Sequence, residues 1–152
     1  MMQLTGQTSG NLDAALAHTV SEITRTDTKA SALLTLDGLL VAALGLLGTD
    51  VHGPALAVAV LGGLTLVAAV VLALLVIRPR LARPGGTTDR SGFIYWAAAT
   101  PDTITAEMTE DRRPTRLQVL SHLCLRKMRM LRAAGDTSLA AVVLIAAALL
   151  LR

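Results

Sequence analysis

Three apolar runs divide the chain. Ala55 to Ile77, ALAVAVLGGLTLVAAVVLALLVI, holds no charge over 23 residues, and about 20 are enough to cross a bilayer's hydrocarbon core at 1.5 Å of helical rise each. Pro54 suits a first helical turn, where its missing N–H is not needed, and Arg78-Pro79-Arg80 ends the span. Ala30 to Gly48 is nearly as apolar but contains Asp37. An aspartate at mid-span costs roughly 2.5–3.5 kcal/mol on insertion, so Asp37 is expected to face protein or water rather than lipid. The segment TDVHGP joins these two runs as a hairpin too short for anything but antiparallel neighbours. The third run, Leu139 to Leu151, has 13 residues, about 20 Å as a helix. It crosses if its helix begins earlier, near Leu131; a re-entrant or tilted terminus is the alternative.

The polar segments also carry helical patterns. Residues 11–30 read as a helix running straight into the first span, with Asn11 as its N-cap and Asp13 in its first turn. Leu16, Val20, Ile23, Asp27, Ala30, Leu34, Asp37 and Val41 step by four and three, which is a heptad seam. Beside it runs a stripe of small residues, Thr24, Thr28, Ser31, Thr35, Gly38, Ala42 and Gly45, of the kind that lets helix backbones approach closely in lipid, within a protomer or between protomers. His18, Glu22, Arg25 and Lys29 form the polar face. After the second span, RLARPGGTTDRSG reads as a linker, followed by Phe93, Tyr95 and Trp96, the only aromatics in the chain. A short helix is expected from Thr100 with Pro101 at its first position, Asp102 behind it, and Ile104 and Met108 on its buried side. Pro114 interrupts, and a further helix runs from Thr115 to Arg132, its apolar face formed by Leu117, Leu120, Cys124, Met128 and Leu131. It continues into the last span as one rod.

Composition sharpens this picture. Apolar residues make up 53% of the 152 and charged residues only 16%, where a soluble domain carries roughly a quarter. A disordered chain, a disulfide scaffold and a water-soluble enzyme are excluded, and the single cysteine, Cys124, forms no intrachain disulfide. A net charge of +3, confined to one stretch, does not argue for a nucleic acid polymer as partner. The hairpin at 48–54 has no Lys or Arg, whereas Arg78 to Arg132 has eleven, and Arg25 and Lys29 flank the first span. Positive-inside asymmetry then puts the N-terminus and the middle segment in the cytoplasm. The apolar first span lacks a preceding basic region and cleavage site, so it is not read as a signal peptide. The expected fold is all-α: a three-span transmembrane bundle with a small cytoplasmic helical region. Its parts are a cytoplasmic helix at 1–30, spans at 31–47, 55–77 and 133–152, an external hairpin at 48–54, and a basic cytoplasmic region at 78–132. About 90 cytoplasmic residues are close to the smallest size for an independent core, which self-association into a homo-oligomer would relieve.

Several residues are candidates for function, each with a plainer reading. Asp27 either pairs with a basic residue of the 126–132 helix to set register, or joins Arg25 and Lys29 in a pocket for a small anion. Arg126, Lys127, Arg129 and Arg132 either anchor the protein to anionic lipid, at about 1 kcal/mol per contact, or contribute to a phosphate site. Phe93, Tyr95 and Trp96 are interfacial or local-core residues, or a surface on which a base stacks at roughly 1–3 kcal/mol. Asp37 is either an ion-path residue or a hydrogen-bonding helix contact. His18, His52 and His122 are solitary, so no metal is expected. With no phosphate loop, HExxH, CxxC or nucleophile–base pair, neither catalysis nor a cofactor is expected.

The segment TRTDTKASALLTLDGLLVAALGLL resembles the membrane effectors of Pycsar antiphage defence through Arg25, Asp27, Lys29, Ala30, Leu33, Leu34 and Gly38. FIYWAAATPDTITAEM is similar to that family's aromatic segment and Pro-started short helix, and LQVLSHLCLRKMRMLRAAGDTSLAAVVLIAAALLL to its closing basic helix and final span. The likeness covers nearly the whole chain from residue 11; Asp37 stands where a more neutral residue is expected. The resemblance implies a multi-pass protein of the bacterial inner membrane, beside a cyclase that makes cCMP or cUMP. The messenger would bind the cytoplasmic face, with Arg25, Asp27, Lys29, Trp96, Arg126, Lys127 and Arg129 as candidate contacts, and the spans would then impair the membrane in abortive infection. A structural or transport-related membrane protein without a nucleotide ligand, such as one accompanying plasmid transfer, is the alternative.

Overall fold

A computed structural model describes residues 2–45, 52–78, 93–107 and 110–151. Among these, five helices follow one another: α1 (Met2–Gly45), α2 (Pro54–Ile77), α3 (Phe93–Ala98), α4 (Pro101–Glu107) and α5 (Arg113–Leu150). Among the described residues there is no strand. The expected hairpin lies outside the described residues except for its last three, and the linker at 80–92 lies wholly outside them.

Two helix starts differ from expectation. Asn11 is not an N-cap, because α1 begins nine residues earlier, at Met2. Gly6 and Gly10 each cost about 1 kcal/mol in a helix, but extending an existing helix adds a hydrogen bond per residue without a new nucleation step. Pro114 does not interrupt either. It sits in the first turn of α5, where no partner for its nitrogen is required, and the Arg113 N–H donates to Asp111 Oδ1 at 3.1 Å. From there α5 runs unbroken for 38 residues through the third apolar run. The other starts agree with the sequence. Pro54 opens α2 behind Gly53, whose φ of 62° is a left-handed value that glycine adopts without strain. Pro101 opens α4, with Thr100 Oγ1 accepting from the Thr103 N–H at 3.4 Å.

The chain divides into two compact units, one of Met1–Ile23 with Pro79–Leu125, the other of Thr24–Arg78 with Arg126–Arg152. In the second unit all three long helices bury residues at seven-residue intervals. On α1 these are Ala30 and Asp37; on α2, Ala55, Gly62, Ala69 and Val76, with Leu66 and Ala73 between; on α5, Ala134, Ala141 and Ala148, with Ser138 and Ile145 between. A strict seven-residue repeat gives a left-handed bundle with knobs-into-holes packing. The small side chains bring the backbones close: a Cβ on Gly62 would lie 3.2 Å from both Ile145 and Leu144, and one on Gly63 would lie 3.2 Å from Leu44. Leu66, Ala141 and Ile145, with Leu40 and Leu44 against them, form the apolar core of this unit.

The small stripe of α1 does not take this role. Thr24, Thr28, Ser31, Thr35, Gly38, Ala42 and Gly45 are all exposed, and nothing would meet a Cβ on Gly38 or Gly45 within 4 Å. Its hydroxyls are satisfied within the helix, as Thr28, Ser31 and Thr35 donate to the carbonyls of Thr24, Asp27 and Ser31. The stripe can therefore face lipid or another chain without an unmet hydrogen bond. The outer faces carry exposed Leu39, Leu64, Val67, Leu139 and Val143. Apolar surface this continuous is disfavoured in water and suits hydrocarbon. α1, α2 and α5 are each long and apolar enough to cross a membrane, which makes the chain a multi-pass membrane protein.

Candidate functional site

The buried seam of α5 predicts its own exception. Counting back from Ser138, Ala134 and Leu131, the next inward position is residue 127, a lysine. The sequence placed Met128 on this face, but Met128 is 40% exposed and the Lys127 side chain is only 14% exposed. Lysine tolerates the position because its four-carbon stem lies along apolar surface while the ammonium reaches a partner. That partner is Asp27: Lys127 Nζ donates to Oδ1 at 2.5 Å and to Oδ2 at 2.8 Å. Asp27 is half-buried beside Thr26, which with Ala30 forms the buried line of α1. The pair ties α1 to α5 within the second unit, and it is the contact with the 126–132 helix that was one of the two expectations for Asp27.

The remaining candidates lie elsewhere. Arg25 and Lys29 share one exposed face of α1, turned roughly 160° from Asp27 at 100° per residue. Arg126 and Arg129 are exposed on α5. The structure thus brings together Asp27 and Lys127 and leaves the other four cations on outer faces. Trp96 belongs to α3, and its side chain lies outside the described residues.

A second charged cluster, in the first unit, was missed by sequence reasoning. Arg113 Nη1 donates to Ser9 Oγ at 2.8 Å and to both oxygens of Asp13 at 3.0 Å, while Nη2 donates to Asp111 Oδ2 at 2.8 Å. Arg112 pairs with Glu107 and, at 2.7 Å, with Glu110. The Tyr95 hydroxyl donates to Glu107 Oε1 at 2.9 Å, which gives this aromatic a local structural role. The side-chain bond from Arg113, then the bond from its backbone N–H, lowers the Asp111 carboxyl to about 2. Asp111 and Asp13 raise Arg113, and Glu110 raises Arg112. Both arginines are therefore engaged by carboxylates. The available signal was the run Glu110-Asp111-Arg112-Arg113-Pro114, two acids followed by two arginines at a helix start.

Asp37 is the third polar feature. It is wholly buried, and neither carboxylate oxygen has a hydrogen-bond partner among the described residues.

No curated protein and no solved structure matches the chain. Residues 11–152 match the family model described as the Pycsar effector protein domain. That match covers the apolar runs of all three long helices and the Asp27–Lys127 pair, and it carries an effector role in antiphage defence. With residues 11–152 matching this family model and three helices long and apolar enough to cross a membrane, the chain belongs to the Pycsar effector family.

Proposed function

We propose that the protein is an inner-membrane effector switched by a cyclic pyrimidine mononucleotide, cCMP or cUMP, which impairs membrane integrity and ends the infected cell. The N-terminus and the basic middle segment face the cytoplasm, where a partner cyclase supplies the messenger. The observation that carries this reading is the Asp27–Lys127 pair, a charged contact between two spanning helices. A cyclic mononucleotide presents one phosphodiester anion. It competes with the Asp27 carboxylate for Lys127, while Arg25, Lys29, Arg126 and Arg129 draw it to the surface. Once Asp27 loses its partner, the α1–α5 contact weakens and the bundle repacks.

A ligand shifts such an equilibrium only by binding one arrangement better. Moving it from mostly closed to mostly open takes about 5.5 kcal/mol of differential affinity. The exposed small stripe of α1 supports assembly of several copies in the open form. The test is membrane potential in bacteria expressing the protein, with the cyclase product supplied. Wild type is expected to depolarise, and Lys127→Ala to respond far more weakly. If no cyclic mononucleotide depolarises the cells, the effector reading fails and a structural or transport role replaces it.

A further inference from the structure

Asp37 has no part in the switch, and nothing in the closed bundle explains it. Three contacts set the register around it. Leu44 meets Gly63, Gly62 meets Ile145, and Asp27 meets Lys127. Stepping seven residues from the first two contacts, about 10.5 Å along each helix, brings Asp37 of α1 level with Ala69–Val70 of α2 and Ser138 of α5. Ten residues on from Asp27 and Lys127 reach the same level. Asp37 and Ala69 are wholly buried and Ser138 is 2% exposed. The buried side chains at this level are thus one carboxyl and two small groups, with Val70 half-buried beside them.

Among the described residues, no opposite charge pairs with Asp37 in this layer. Ala55 to Ile77 of α2 has no titratable residue. On α5, Arg132 and Asp136 lie nearest and are largely exposed, 4.0 Å from each other. The Ser138 hydroxyl is used by the Ala134 carbonyl at 3.1 Å. On α1, Lys29 is eight residues away on an exposed face. An enclosed carboxyl with unmet hydrogen bonds weakens the packing around it, and an apolar residue would hold the three helices better. Its benefit must come in an arrangement where water enters the layer. Because Ala69 and Ser138 are small, a modest separation of the helices opens a narrow wet path there, and its wall carries one negative charge.

We propose that Asp37 is the cation-selecting residue of the pathway that forms when α1, α2 and α5 separate, with monovalent alkali cations as the species conducted. A fixed carboxylate in a narrow path between low-dielectric walls concentrates cations and repels anions. This inference rests on the effector reading, and its test separates the two. The full-length protein is placed in liposomes of phosphatidylethanolamine and phosphatidylglycerol under a KCl gradient, cCMP or cUMP is added, and the reversal potential is read. Wild type is expected to approach the potassium potential. Asp37→Asn should still conduct on addition of the nucleotide, with its preference for potassium over chloride reduced about tenfold or more. Thermal unfolding in detergent gives a second reading: Asp37→Asn and Asp37→Leu should be at least as stable as wild type. A wild-type current without cation preference, an unaltered preference in Asp37→Asn, or a lowered midpoint in both variants overturns the role of Asp37 alone. No wild-type current with either nucleotide overturns the effector reading, and this inference with it.

Discussion

Lys127 interrupts a seam that is otherwise small or apolar, and a single carboxylate makes it tolerable. Exposed ion pairs contribute about 0.2–1 kcal/mol, whereas stripping a partner from a buried pair costs about 3–5 kcal/mol. With one side chain 14% and the other 37% exposed, a double-mutant cycle over Asp27→Asn and Lys127→Met is expected to give about 1–2 kcal/mol of coupling, read by unfolding in detergent. Asp111 makes a pH-dependent contribution. Its folded pKa, about 2, lies below the ordinary aspartate value of 3.8, so the stability it adds is present above about 4 and is lost as pH falls from there through 2. Hydrogen exchange at the first turn of α5 should accelerate across that window, and Arg113→Ala should remove the dependence. The Asp111 contact was not legible beforehand, whereas a pairing of Asp27 with the 126–132 helix was expected. Asp27 was a visible seam position, but which of four neighbouring cations it meets depends on the rotation of α5.

Each long helix shows a different part of this limit. The charge-free run of α2 announced a helix from Pro54 to Ile77, because both its start signal and its stop lie in the local sequence. On α1 the apolar period was visible, but the buried line is turned toward Thr26, Ala30 and Asp37, leaving Val20 and Val41 exposed. Both Val20 and Leu33 fit a 3.6-residue repeat; only neighbours choose between adjoining faces. The glycines divide in the same way. Gly62→Val is expected to overpack the contact with Leu144 and Ile145 and to destabilise by about 1–3 kcal/mol, since its Cβ alone would sit at 3.2 Å. Gly38→Ala meets nothing within 4 Å and should stabilise the isolated chain by about 0.5–1 kcal/mol. Loss of a cross-linked oligomer in Gly38→Leu, with unfolding unchanged, would show that this face meets a second copy.

At the scale of the whole molecule, the effector reading joins an ion pair to a change of state, so breaking the pair should mimic the signal. Asp27→Asn is expected to depolarise cells without any cyclic nucleotide, and Lys127→Ala to leak weakly and gain little on its addition. Cysteine introduced at Lys29 should be labelled from the cytoplasmic side and protected from a membrane-impermeant reagent outside. The sequence by itself determined that three apolar helices exist, roughly where they run, and which segments bear the positive charge. Those properties sum over residues, since transfer to hydrocarbon and backbone hydrogen bonding are settled segment by segment. Only the tertiary structure decided that Lys127 rather than Met128 points inward, that the small stripe of α1 stays exposed, and that Asp37 is enclosed with no hydrogen-bond partner among the described residues. A helix offers several nearly equivalent faces, and which one is buried follows from packing against two other helices at once.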